Sequence, residues 1–408
     1  EHLERLAEVF KQNREELIKR PSQEMGAPFG LTKSLANVAE SDFLWFLEHA
    51  DEALSPQTLF EDEDEVNTLT YEPYGVMACI VAWNFPYPNF VINVIQPLLA
   101  GNTVVMKYSE EVPLFSKFME ELTEQAQLPA GVISFVYGDG SVGAQLVDED
   151  IDIISFTGSY EVGHKLYKKA AEKFIPIINE LGGSSPGVVF EDCDPAEIAE
   201  DLFWGRFLNS GQFCDNMKRL IVHESIFDEV VSKVAEIAQS KTIGDPQDDD
   251  TDLGPLVAAR QVEKLEGQLQ DALDKGAKLI CGGERPEGLK GAYFKPTILT
   301  NITPDMRVWH EEVFGPVLPV VSFSNYEEAI RLANDTIYGL TGYVFTQDKE
   351  LVKAASADIK AGAISGLGSH FYRPQNPYGG FKKSGLGRNH GIQGYQQAAQ
   401  TKVIARSK

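Results

Sequence analysis

PYGVMACIVAWNFPYPNFVINVIQPLLAGNTVVM (residues 73–106) carries no charged side chain. Such a run can be a membrane span or a piece of globular core. Pro86, Pro88 and Pro97 interrupt it, and Asn84, Asn89, Asn93, Gln96 and Asn102 place amides along it. Unpaired amides and broken helices are costly in lipid. The run therefore reads as a strand (75–83), a buried helix (88–100) and a second strand (102–107), one parallel βαβ unit.

The same alternation continues outward. LFSKFMEELTEQAQ (114–127) is helical and VISFVYG (132–138) a strand; a glycine turn and a helix follow. IDIISFTG (151–158) is a strand, the next helix runs to about 174, and IPIINELGG (175–183) is again a strand. Beyond a hinge near 182, helices at 196–209, 225–240 and 258–275 mix with the apolar strands LIVHE, VLPVVSF, TGYVFT and GAIS. The expectation is an α/β protein with two parallel units. The first twenty residues read as one amphipathic helix, so the chain begins inside a domain. The segments 62–73 and 398–406 are polar and extended, which suits paired edge strands.

Composition narrows the function. The 408 residues are 43% hydrophobic and 24% charged, with a net charge of -25 from 61 acidic and 36 basic side chains. This is ordinary globular composition, and the charge disfavours a nucleic-acid surface, which needs a basic patch. FEDEDE (60–65) and DPQDDD (245–250) read as solvated turns. Cys79, Cys193, Cys214 and Cys281 show no metal-binding or disulfide spacing, so a reducing, cytoplasmic setting is expected, without a metal or membrane contact.

Five features bear on chemistry. GDGSVG (138–143) matches G-x-G-x-x-G between a strand and a helix, where a phosphate can approach main-chain N–H groups. TGSYEVG (157–163) occupies another such turn. GSSPG (183–187) matches the nucleophile elbow of serine hydrolases, yet Pro186 and the strand-like GVVF behind it oppose the required helix. Glu180 ends an apolar strand, where it is either a turn-facing carboxylate or a buried base. Cys214, in NSGQFCDN (209–216), is either an inert core thiol or a nucleophile.

Together, NELGG with Glu180 34 positions before the cysteine of GQFC, AWNFP (82–86), GNTVVMKYSE (101–110), EEVFGPV (311–317) and NPYGGFKKSGLGR (376–388) resemble the NAD(P)-dependent aldehyde dehydrogenase superfamily over residues 1 to 405. The resemblance implies a Rossmann-like NAD-binding domain (1–57 and 74–182) and a catalytic domain (183–397) whose tail packs back on the first. It also implies oligomerisation strands (58–73 and 398–408) in a homodimer or homotetramer. The family usually carries a longer N-terminal stretch.

The resemblance further assigns Cys214 as nucleophile, Glu180 as the base for the deacylating water and Asn84 as oxyanion donor. Lys107, Ser109 and Glu110 fall at the adenosine ribose, Val81 and Trp83 along the adenosine side, and Gly140, Ser141 and Gly143 near the adenine. Gly158, Ser159 and Val162 fall near the pyrophosphate, Leu181 beside the base, and Glu312 and Phe314 at the nicotinamide ribose and ring. Glu110 favours NAD over NADP, because a carboxylate repels a 2′-phosphate. Asn389 stands where many members have a relay glutamate. Tyr87, Phe90, Phe213, Phe371 and Tyr372 fall near the family's substrate tunnel. Arg373 is placed to clamp a carboxylate, which makes succinate semialdehyde the expected substrate and other aliphatic or aromatic aldehydes the alternative. Ile92 and Leu208, however, stand where such enzymes supply further arginines. A serine hydrolase built on Ser185 and a non-catalytic protein of the same fold are the competing classes.

Overall fold

A computed structural model describes residues 1–408. Its centre is two mostly parallel sheets. The first has six strands in the order Gly385–Leu386, Ile177–Glu180, Ile153–Thr157, Val76–Val81, Thr103–Tyr108 and Ile133–Phe135, with only Gly385–Leu386 antiparallel. The second has seven: Lys278–Cys281, Thr297–Thr300, Val317–Phe323, Met217–His223, Ser185–Val189, Thr341–Phe345 and Ala363–Gly366, with only Lys278–Cys281 antiparallel. A third sheet, antiparallel, joins Gln57–Glu61, Glu65–Pro73 and Ala399–Ser407.

The opening run is globular core. Val76–Val81 and Thr103–Tyr108 are adjacent parallel strands, joined by the helical segments Pro86–Phe90, Val91–Ile95 (a π-turn) and Gln96–Leu99. Its amides are satisfied, as buried polar groups must be. Asn89 donates to the Ala82 carbonyl, Asn93 to that of Asn89, and Ser155 to Asn93. Gln96 donates to Gly391 and Asn102 to Ala398, tying this unit to the C-terminal helix Gly391–Gln397. No helix is long and apolar enough to cross a membrane.

Two expectations change, and a third, the solvated turn at 60–65, gains detail. The N-terminal helix is two, His2–Gln12 and Arg14–Met25, because Asn13 turns its side chain onto the Val9 carbonyl and interrupts the ladder. The acidic run 60–65 is a hairpin: strands end and begin within it, and Asp62 accepts from the N–H groups of Asp64 and Glu65. The second sheet also gains Lys278–Cys281 and Thr297–Thr300, short strands that lacked a clear alternating pattern.

The first sheet reverses strand order between Val76–Val81 and Ile153–Thr157. Ligands of open parallel sheets bind beyond the carboxyl ends at such a point. The turns 82–85 and 158–159 lie there. The second sheet presents its opposite, N-terminal edge to the same cleft: Gly182–Gly183 precede Ser185–Val189, Cys214 precedes Met217–His223, and Glu312 precedes Val317–Phe323.

Candidate active site

A cavity of about 620 Å³ joins Asn84, Glu180 and Cys214. Cys214 is half-buried at its floor; burial and the neighbouring Asp215 carboxylate push the thiol up to about 12, while Lys218 opposes them. The Tyr378 hydroxyl lies 3.9 Å from Sγ. Asn84 gives one amide hydrogen to the Gln212 carbonyl at 2.8 Å and has a second to offer. The Cys214 N–H donates to no main-chain carbonyl.

Glu180 ends its strand in register with Thr157 on one side and Gly385 on the other. It is 7% exposed, and neither carboxylate oxygen has a hydrogen-bond partner. Burial raises its carboxyl well above the usual range, against the pull of Arg388. A buried carboxylate without donors is a stronger base than an exposed one and, when ionised, accepts a proton from water more readily.

Lys218 is fully buried beneath the cysteine. Its Nζ donates to the carbonyls of Gly183 (2.9 Å) and Cys214 (3.0 Å) and to Glu312 Oε1 (2.5 Å). Glu312 also accepts from the Gly183 N–H at 3.1 Å. These approaches explain the double glycine. A Cβ at Gly182 would strike the Glu312 carboxylate, and one at Gly183 would lie 2.7 Å from the Cys214 carbonyl oxygen.

The residues expected on the cofactor side lie at strand ends and helix starts. Lys107 is 2% exposed, and its one hydrogen bond within the protein goes to the Tyr108 carbonyl at 3.1 Å. An ammonium has three donors, so this buried group has capacity for a ligand oxygen; burial lowers its pKa, with Glu110 and Asp139 opposing. Glu110 is exposed beside the half-buried Ser109. The helix Gly140–Asp148 is capped by Asp139, which accepts from Ser141, and buried Gly143 rests on the Lys107 stem. Ser159 caps Tyr160–Lys173 through the Val162 N–H; Gly158 precedes it, exposed Val162 lies in its first turn, and Gly163 packs on buried Leu181. Val81 is buried; Trp83 meets Phe314 edge-on at 5.8 Å, with the Lys218 ammonium 5.1 Å from the Phe314 ring.

The aldehyde side differs from the expectation. Phe213 and Tyr372 line the cavity, with Phe85 edge-on to both. Tyr87 does not: it sits on the inward face of its short helix, 2% exposed, packed edge-on against Phe10. Phe90 is buried against the same ring, and Phe371 lies behind the wall, stacked on Tyr378. Arg373 is exposed and outside the lining. Ile92 and Leu208 do line the cavity, and Arg206 is buried elsewhere, holding the carbonyls of Val313, Gly315 and Val317. The lining contains no lysine or arginine; its carboxylates are Glu180, Asp201 and Asp215 and its imidazoles His370 and His390. Asn389 pairs its main chain with Tyr378 in both directions. His390 lies 3.5 Å from the buried Asp42.

Ser185 opens a strand and is buried, its hydroxyl 2.7 Å from that of Thr341. The strand–serine–helix elbow is absent there, which removes the basis for a serine hydrolase.

Sequence reasoning missed Lys218 and Tyr378 as site residues. Both left a signal: Lys218–Arg219 is a cationic pair inside an apolar strand, where unpaired charge is rare, and Tyr378 stands within the PYGG motif.

Comparison with known proteins adds an independent line. The model described as "Aldehyde dehydrogenase family" matches residues 1–404. The betaine aldehyde dehydrogenase of Bacillus subtilis is 36% identical, over 99% of this chain and 83% of that protein. The peroxisomal aminoaldehyde dehydrogenase 1 of Pisum sativum is 38% identical, over 99% and 82%. A crystal structure of betaine aldehyde dehydrogenase from Staphylococcus aureus in complex with NAD+ superposes with a TM-score of 0.95 at 32% identity, covering 99% of this chain and 81% of that one.

Proposed function

Since the chain belongs to the aldehyde dehydrogenase family, we propose that it oxidises an aldehyde bearing an amino or quaternary ammonium group to the carboxylic acid, with NAD. The cavity wall carries this reading: three carboxylates and an aromatic surface, with no lysine or arginine. Such a wall attracts a cation by charge and by ring faces and repels a terminal carboxylate. The exposure of Arg373 outside the lining and the names of the relatives point the same way, away from succinate semialdehyde.

Each catalytic part follows from its surroundings. The Cys214 thiolate adds to the carbonyl carbon, forming a C–S bond as the C=O π pair moves onto oxygen. The oxygen that becomes negative is held by the free amide hydrogen of Asn84 and the Cys214 N–H, two donors fixed before reaction. NAD, when bound, would supply the hydride acceptor; loss of hydride from the carbon would leave a thioester on Cys214. Glu180 then takes a proton from water, whose oxygen adds to the thioester carbon; the C–S bond breaks, releasing the acid and the thiolate.

For the cofactor, Lys107 and Glu110 would hold the adenosine ribose, with Ser109, Val81 and Trp83 alongside. The turns at Gly140–Gly143 and Gly158–Val162 would take the adenine and pyrophosphate, and Glu312 and Phe314 the nicotinamide end, beside Leu181. The spare donors of buried Lys107 and the inward Glu312 fit a dinucleotide, and Glu110 favours NAD over NADP.

We further take residues 1–57 and 74–182 as the cofactor domain and 183–397 as the catalytic domain. The third sheet, with the exposed Leu59, Phe60, Val403 and Ile404, serves assembly into a dimer or tetramer; light scattering that gave a monomer would remove that assignment.

The test is NADH formation with NAD and NADP over an aldehyde panel. We expect kcat/KM for 3-aminopropanal or betaine aldehyde to exceed that for succinate semialdehyde by about tenfold or more, the size of one favourable charge contact. Preference for succinate semialdehyde would overturn the substrate reading.

A further inference from the structure

The lysine beneath the nucleophile has no role in the scheme above. Burying an ammonium completely is costly unless it is paired and hydrogen-bonded. Lys218 meets that condition with groups from three separate elements. Its Nζ reaches the Gly183 carbonyl after the Glu180 strand, the Cys214 carbonyl on the nucleophile loop, and the Glu312 carboxylate before Val317–Phe323. The ring of Phe314 covers it at 5.1 Å.

We propose that Lys218 is a positioning residue that ties the nucleophile to the cofactor carboxylate and supplies the cation that favours the Cys214 thiolate. The inference rests on the reading of Cys214 as nucleophile and Glu312 as cofactor carboxylate.

The electrostatic part follows from the census of charges around the sulfur. Facing Cys214 are the carboxylates of Asp215, Glu312 and Glu180 and the phenols of Tyr343, Tyr372 and Tyr378, with His370 beyond Asp215. Every carboxylate there opposes the thiolate; Lys218 is the cation that supports it. Glu312 neutralises part of that support through its 2.5 Å contact. Lysine and glutamate therefore act on the thiol in opposite senses, although both hold the same piece of backbone.

The positional part follows from the hydrogen bonds. Glu312 is oriented by two donors, the Lys218 ammonium and the Gly183 N–H. Without the ammonium, the carboxylate keeps one tether and a weaker hold on a ribose diol.

The experiment is the rate of iodoacetamide alkylation of Cys214 across pH, read by mass spectrometry of its peptide, without NAD or aldehyde. Lys218→Met should move the profile up by about one pH unit, slowing alkylation about tenfold near neutrality. Lys218→Arg, which keeps the charge, should stay within about threefold of wild type. Glu312→Gln should shift the profile down and quicken alkylation several-fold. NAD binding by calorimetry should weaken in both Lys218→Met and Glu312→Gln. A merely structural lysine would move both variants in the same direction; that outcome, or an unshifted Lys218→Met profile, overturns the proposal. If Lys218→Met fails to fold, Glu312→Gln still decides, because an unchanged or slower alkylation rate contradicts the opposition. Alkylation needs no turnover, so it judges the lysine separately from an aldehyde panel that failed.

Discussion

Two carboxylates flank Cys214, and the molecule treats them in opposite ways. On the proposed aldehyde side, Glu180 is buried with both oxygens unpartnered. On the proposed cofactor side, Glu312 is held by an ammonium and a main-chain N–H. A base has to be short of donors, because each donor stabilises its ionised form and weakens its pull on a proton. A carboxylate that holds a ligand has to be fixed, because orientation lost on binding is affinity lost. The sheets differ in the same way. The six-stranded sheet offers strand ends and helix starts, suited to a dinucleotide, whereas the N-terminal edge of the seven-stranded sheet supplies the thiol and its buried lysine.

The strongest way to break the comparison is to remove the sulfur that both carboxylates flank. Cys214→Ala should lower the rate of NADH formation by about 10⁴-fold or more, as loss of a nucleophile does. Dinucleotide affinity should persist, since Glu312 and Lys107 remain. Substantial residual turnover would leave neither carboxylate with its assigned task.

Glu180→Gln comes next. The steady-state rate should fall by about 10² to 10³, the usual contribution of a general base, while a single-turnover burst of NADH survives. Loss of the burst with normal deacylation would reverse the roles of the two sides. In wild type, deacylation should quicken as pH rises through the raised Glu180 pKa, and the variant should lose that dependence.

That Cys214 and Glu180 share one cavity was legible because each sits in a short motif, Glu180 where a strand ends and Cys214 just before one begins. The alternation of strands and helices was legible for the same reason: apolar period and turn residues are local. What was not legible is direction. Arg373 lies four residues before Pro377 of the PYGG motif, and spacing placed it near the site, yet loop geometry turns it to solvent. Tyr87 lies three residues after Asn84 and faces Phe10, because one helical turn decides its side. Lys218 is four residues beyond Cys214, and its function depends on Glu312, 94 positions away in sequence. Only the fold brings that pair together.

A third carboxylate sharpens the contrast on the aldehyde side. Asp215 lines the cavity beside the nucleophile, and burial raises its carboxyl. Asp215→Asn should lower kcat/KM for 3-aminopropanal about tenfold relative to propanal, the loss expected for one charge-assisted contact. The ratio matters, because removing this charge also eases ionisation of the thiol for both substrates. Equal effects on both aldehydes would deny Asp215 a part in recognising the cation.

The smallest effect is on stability, and its sign separates the two glutamates. Burial holds the native Glu180 pKa above its unfolded value, so the native state binds more protons than the unfolded chain between those two values. Stability from this group is complete below the unfolded pKa, falls as pH rises through the window and stays low above the native pKa. Glu180→Gln removes that loss. Its Tm should match wild type near pH ~4 and exceed it by roughly 1–3 °C above the native value, about 1 kcal/mol in a chain of this length. Glu312→Gln should do the reverse at neutral pH, lowering Tm by a few degrees, because buried Lys218 loses its counter-charge. Differential scanning calorimetry across pH reads both. If the two variants shifted Tm in the same direction, the distinction between a deprived carboxylate and a held one would not survive.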